Sequence, residues 1–178
     1  INEYTYKDIY GGVLHVASEL LPLEISRVTI LSDNSVTMAI YVLAAMLAYK
    51  EILLLNVHLK PNEIGNQLKQ LGVTTVLHSK ERRNQLPSSL RAIEFEPLES
   101  ILSNLNLEDT FDWKFDDADI AAIMNTSATT GQFKSVPLRW GQIRAHVQAS
   151  QEVLGKAEHD NWLMVLPLFH VSGLSILM

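Results

Sequence analysis

At 178 residues the chain is long enough for one sizeable core, or for one core and part of a second, and a composition 47% apolar and 19% charged excludes an intrinsically disordered polymer. The net charge of −6 offers no basic footprint for nucleic acid or an anionic membrane. Cysteine is absent, which removes disulfides, thiolate zinc sites and cysteine nucleophiles and is compatible with a reducing cytoplasm.

In TYKDIYGGVLHVASELL, residues Ile9, Val13, Val16, Ala17 and Leu20 recur at helical spacing, with Thr5 as cap and Pro22 after the end. RVTILSD reads as a buried strand, and Asp33-Asn34-Ser35 supplies a turn and cap before the helical run VTMAIYVLAAMLAYK. EILLLN is a second strand, PNEIGNQLKQLG a short helix opened by Pro61 and closed near Gly72, and VTTVLH a third strand. This alternation predicts an α/β fold: largely parallel sheet flanked by helices.

Residues 80–118 break the alternation with ERRNQLPSS, an edge strand RAIEFE, a short helix near LESILSNL and the acidic stretch EDTFDWKFDDAD, read as a connector between two parts of the sheet. The pattern resumes with the strand DIAAIM, a polar loop, a helix over 140–154, the strand NWLMVLP and a final run after Gly173. Residues 1–118 are therefore expected to form a first α/β segment with its connector, and residues 119–178 a strand–helix–strand segment carrying the loop.

No stretch reaches the roughly 18 uninterrupted apolar residues needed to span a bilayer, and INEYTYKD lacks a basic region followed by an apolar one. A soluble cytoplasmic protein is expected. The chain starts at Ile1 and stops inside the apolar run PLFHVSGLSILM, which reads as a piece of a longer protein whose apolar end favours self-association.

The loop NTSATTGQFKSVPL is the segment with chemistry to explain. Thr, Ser and Gly after a strand can turn backbone N–H groups and hydroxyls to one point, as polyanion sites do, and Lys134 adds a cation. Gly131 allows a φ > 0 turn, while Thr126, Ser127, Thr129 and Thr130 carry hydroxyl donors. A solvated surface loop is the other reading of the same composition. Neither Gly-x-x-x-x-Gly-Lys-Ser/Thr nor Gly-x-Gly-x-x-Gly occurs.

The run Thr126-Ser127-Ala128-Thr129-Thr130-Gly131-Gln132-Phe133-Lys134 resembles the phosphate-binding signature Thr-Ser-Gly-Thr-Thr-Gly-x-Pro-Lys of the adenylate-forming acyl-CoA synthetases. WLMVLPLFHVSGLSIL, with Pro167-Leu168-Phe169-His170 and Ser172-Gly173, resembles that superfamily's next core motif, most closely in the o-succinylbenzoate:CoA ligases of menaquinone synthesis. LSDNSVTMAIYVLAAMLAYKEILLLNVHLKPNEIGNQL is similar to an upstream segment of the same family.

The resemblance implies part of the large N-terminal domain of an enzyme using ATP, Mg²⁺ and CoA, in which a carboxylate, o-succinylbenzoate in the closest group, becomes an acyl-adenylate and then a thioester. It implies that residues 126–131 and Lys134 hold the β and γ phosphates. His170 would stand beside the acyl group as a positioning residue, with Ser172 and Gly173 along the acyl and CoA walls. Ala128 stands where the motif has glycine and Phe133 where proline is usual, so a weakened phosphate grip is expected. Another acyl-CoA synthetase, for fatty or aryl acids, and a non-catalytic nucleotide-binding module are the alternatives.

The remaining polar residues suggest less. His15, His58, His78, His146 and His159 show no His-x-x-x-His spacing, and no metal site is expected from them. Asp116, Asp117 and Asp119 read as solvated carboxylates. Trp113, Trp140 and Trp162 read as packing residues without basic neighbours for base stacking.

Overall fold

A computed structural model describes residues 3–105, 114–126, 133–155 and 162–178. Helix α1 (Tyr6–Leu20) begins at Thr5, which shares a reciprocal capping box with Asp8. Strand β1 (Arg27–Leu31) leads to helix α2 (Val36–Leu47), whose cap Ser35 accepts from Met38 N at 3.0 Å. Strand β2 (Glu51–Leu54), helix α3 (Pro61–Gln70) and strand β3 (Thr75–His78) follow. Gly72, at φ +63°, turns the chain out of α3, a conformation that glycine adopts without a Cβ penalty. A 3₁₀ turn over Lys80–Gln85, edge strand β4 (Arg91–Glu94) and helix α4 (Leu98–Ser103) complete the first stretch.

The later residues supply strand β5 (Ile120–Thr126), strand β6 (Lys134–Arg139), helix α5 (Trp140–Leu154) and helix α6 (Val171–Leu177). Among the described residues the strands form a six-stranded sheet in the order β4-β3-β1-β2-β5-β6. All neighbours are parallel except β5 and β6. The mainly parallel α/β architecture expected from the alternating pattern is therefore present, with RAIEFE supplying the outermost strand.

Burial follows from that order. β1, β2 and β3 are inaccessible over nearly their whole length, as strands covered on both faces must be. The chain steps one way along the sheet from β1 to β2 and the other way to β3, so right-handed crossovers put α2 and α3 on opposite faces. Helix α2 is apolar nearly all round because α1 packs over it. Ile64 and Leu68 of α3, fully buried, close the other side.

Two expectations about the second half need correction. The loop after β5 does not lead directly to a helix: the chain first returns as β6, paired antiparallel with β5 from Ile120↔Arg139 to Thr126↔Lys134. Pro137 fits there because an edge strand can spare an N–H on its outer side. NWLMVLP, expected as a strand, is not one over 162–167. β6 already occupies the edge beside β5, and Trp162, Leu163 and Val165 stand exposed.

Candidate functional site

In open α/β sheets, ligands gather beyond the carboxyl ends of the strands, where connections leave in opposite directions. β2 and β5 are neighbours at such a place, and a cavity of about 300 Å³ opens at their ends. Leu54 and Asn56 reach it from the end of β2, Gln67 from α3, and Asn125, Thr126 and Phe133 from the β5–β6 hairpin. Phe169 and His170 close it from the segment before α6.

The hairpin aims two of the expected phosphate-binding residues at one another. Thr126 and Lys134 are register partners, both exposed, and the Thr126 hydroxyl donates to the Lys134 carbonyl at 3.3 Å. One residue inward, Ser135 Oγ donates to Asn125 Oδ1 at 2.7 Å, which leaves Asn125 Nδ2 buried without a partner. Gln67, 1% exposed, has an unpartnered Oε1. Buried amide atoms left without hydrogen bonds are costly, and both residues belong to the cavity lining, beside Leu54, Leu59 and Phe133. Ser127, Ala128, Thr129, Thr130 and Gly131, expected to complete the phosphate grip, lie outside the described residues.

His170 lies on the cavity wall and is itself exposed. Its backbone N–H donates to the Pro167 carbonyl at 3.0 Å, so it ends a tight turn and starts α6. Leu168 and Phe169 are buried and anchor that turn, with the Phe169 ring 4.6 Å from the His170 ring and 5.9 Å from that of His58. Ser172 and Gly173, expected along the acyl wall, do not line this cavity. Ser172 is exposed, whereas Gly173 is buried against the Pro167 carbonyl, where a Cβ would have no room.

Asn34, expected only as part of a turn, does more. Its side chain donates from Nδ2 to the Leu166 carbonyl at 2.8 Å and accepts at Oδ1 from Leu168 N–H at 3.0 Å. Beside it, Asp33 accepts two hydrogen bonds from Arg82, at 2.6 and 2.8 Å, and these hold its carboxyl below the ordinary value. Gln67 went unnoticed; a glutamine on the buried stripe of an amphipathic helix, between Ile64 and Leu68, was the available signal.

Away from the cavity, His15 and Glu19, one turn apart on α1, bring ligand atoms within 4.8 Å of each other and of Glu96. Hydrogen bonds here join α1 to the β4–α4 connection. His15 Nε2 lies 3.0 Å from Glu96 Oε2, Ser100 Oγ donates to Oε1, and Glu96 N–H donates to Tyr41 OH. Burial raises the Glu96 carboxyl, but the bonds to Ser100 and His15 outweigh it and leave the group below its usual value. Asp117 pairs with Arg144 at 2.7 Å, and Trp140 stacks on Phe115 with ring centres 4.1 Å apart, a packing role for that tryptophan. No described helix is long and apolar enough to cross a membrane.

A family model described as AMP-binding enzyme matches residues 1–178. The chain is 44% identical over its full length to a 2-succinylbenzoate–CoA ligase of Lactococcus lactis subsp. lactis, covering 39% of that protein. It is 34% identical over 98% of its length to the ligase of the same name from Staphylococcus aureus, covering 40%. It thus spans about two fifths of these relatives. Among solved structures, it aligns over 99% of its length with the o-succinylbenzoate coenzyme A synthetase MenE of Bacillus subtilis bound to AMP, at TM-score 0.83 and 27% identity, covering 48% of that chain. The same enzyme in complex with ATP and a magnesium ion aligns at TM-score 0.81 with 26% identity, the alignment covering 99% of this chain and 48% of that one.

Proposed function

Because the chain belongs to the family of AMP-binding enzymes, we propose that the complete protein is an ATP-dependent, AMP-forming acid–CoA ligase, with o-succinylbenzoate as its acid and menaquinone synthesis as its setting. The identity to ligases of that name supports the substrate. The observation that carries the reading is the convergence of Asn125, Thr126 and His170, from the β5–β6 hairpin and the turn before α6, on one cavity, with Lys134 the register partner of Thr126.

In the first half-reaction a carboxylate oxygen attacks the α-phosphorus of ATP, and the bond to pyrophosphate breaks with its electron pair leaving on pyrophosphate. Charge grows on the β and γ oxygens. The Lys134 ammonium and Thr126 hydroxyl, with the hydroxyls and N–H groups of residues 127–131, are the donors that follow it, and donors that meet this growing charge lower the barrier. Magnesium, when bound, would offset the charge of the phosphates. Among the described residues the cavity lining offers side-chain amides, one hydroxyl and no carboxylate, so magnesium would enter there with the phosphates rather than on a protein carboxylate.

His170 orients the acyl group. In the second half-reaction the CoA thiol sulfur attacks the acyl carbonyl and AMP leaves. We assign the phosphate grip to residues 119–178 and the covering sheet and helices to residues 1–118. A cytoplasmic location accords with this chemistry.

Pyrophosphate release by the complete protein, with ATP, CoA and a panel of acids, tests the assignment. Turnover strongest with o-succinylbenzoate supports it. Turnover with fatty or aryl acids alone redirects the substrate, and silence with every acid leaves a nucleotide-binding module.

A further inference from the structure

The apolar run that ends at His170 is not a strand over its described residues and turns where the Val165 N–H donates to the Leu163 carbonyl at 3.0 Å, yet its position is fixed. Asn34 fixes it: one carboxamide donates to the carbonyl of Leu166 and accepts from the N–H of Leu168, at 2.8 and 3.0 Å, across 132 and 134 residues of sequence. A carbonyl at one residue and an N–H two residues on are what a neighbouring strand would engage, so the side chain stands in for a missing peptide group. Asparagine suits the place. Aspartate would set a carboxylate against the Leu166 carbonyl, and serine has a single oxygen for two partners.

The clamp has a firm base. On one side Ser35 caps α2, and on the other Asp33 is held by two hydrogen bonds from Arg82, whose Nη1 also donates to the Val57 carbonyl at 3.5 Å. The gripped stretch leads straight into the turn that His170 closes on Pro167. We propose that Asn34 is a positioning residue for His170, setting where its ring meets the acyl group. This rests on the reading of His170 given above. The reason for the clamp is local: Leu166 is exposed but Leu168 is fully buried, so without Asn34 the Leu168 N–H would stand inside the protein without a partner.

The complete protein carrying Asn34→Ala, with Ser35→Ala as the control in the same turn, tests the inference by amide hydrogen exchange and by the kinetics of acyl-adenylate formation. In Asn34→Ala, Leu168 N–H is expected to exchange about tenfold faster and kcat to fall about tenfold, with KM for ATP within about twofold of wild type. Ser35→Ala is expected to lower thermal stability while leaving the Leu168 amide and kcat unchanged. Unchanged Leu168 exchange in Asn34→Ala overturns the clamp, and faster exchange with undiminished kcat overturns the positioning role. Equal loss of kcat in Ser35→Ala also overturns it, since simple destabilisation would then suffice. If the wild-type protein activates no carboxylate, the ligase reading and the positioning role fall together, while the exchange experiment still decides whether the clamp exists.

Discussion

Gly173→Ala puts a methyl group where the fold has no room. A Cβ built on Gly173 overlaps the Pro167 carbonyl oxygen and lies 2.6 Å from Pro167 C and 2.7 Å from Leu166 O, inside the 3.0 Å that real Cβ contacts almost never breach. These neighbours are backbone atoms, so no rotamer change relieves the overlap; α6 must lift off the turn, or the turn must open. Restoring ordinary contact at about 3.5 Å with the Pro167 carbonyl oxygen needs more than about 1 Å of movement. Opening the turn moves the Leu166 carbonyl that Asn34 grips, while lifting α6 moves His170 at its first turn. Overpacking of this kind costs about 1–3 kcal/mol, and a 1 Å displacement of a substrate-positioning group costs on the order of 100-fold in rate. Thermal melting and the acid-dependent pyrophosphate release of the complete protein are the assays, with a lower Tm and a kcat/KM reduced by ~10- to 100-fold expected. A Gly173→Ala protein within twofold of wild type in kcat/KM, with an unchanged Tm, would refute the reasoning about this turn.

Lys134→Ala should raise KM for ATP and slow pyrophosphate release by on the order of 10- to 100-fold while leaving Tm nearly unchanged, because Lys134 is exposed at the start of an edge strand; steady-state kinetics beside a melt checks this. Ala128→Gly should tighten ATP binding, since glycine is the residue the phosphate-binding signature carries there; a nucleotide titration reads it, and equal or weaker affinity counts against the motif. Ser35→Ala removes the side-chain acceptor for Met38 N–H and should cost about 1 kcal/mol in denaturant unfolding. The Asp33–Arg82 pair predicts an acid effect. Asp33 titrates below its unfolded value, so the stability it contributes is present above the unfolded carboxylate pKa of about 3.9 and is lost as pH falls through the lower folded value. Melting curves of wild type and Arg82→Gln should therefore differ at pH 6, with the gap narrowing as pH falls below about 3.9, and a gap that does not narrow in acid would contradict that origin.

Local signals made the first half of the fold legible. Thr5 and Ser35 cap where hydroxyls next to apolar periodicity say they should, Pro61 opens α3, and Gly72 turns the chain out of it. β6 escaped because Pro137 and the short alternation of KSVPLR weigh against a strand, although an edge position tolerates both. Trp162–Pro167 reads as a strand because its residues are apolar, but a strand also needs a neighbour, and β6 holds that place. The loop motif and His170 were readable as a local word in the sequence. Asn34 and Gln67 were not, because what they do is set by partners and burial that arise only on folding: Asn34 read as a turn residue, yet its partners lie more than 130 residues away.

The direct test of the phosphate cradle is a crystal structure of the complete protein with magnesium and a non-hydrolysable ATP analogue. The account predicts β and γ phosphate oxygens about 3 Å from Lys134 Nζ and the Thr126 hydroxyl, with the α-phosphate turned towards His170. A triphosphate bound away from the β5–β6 hairpin, with Lys134 contacting only solvent, would contradict it.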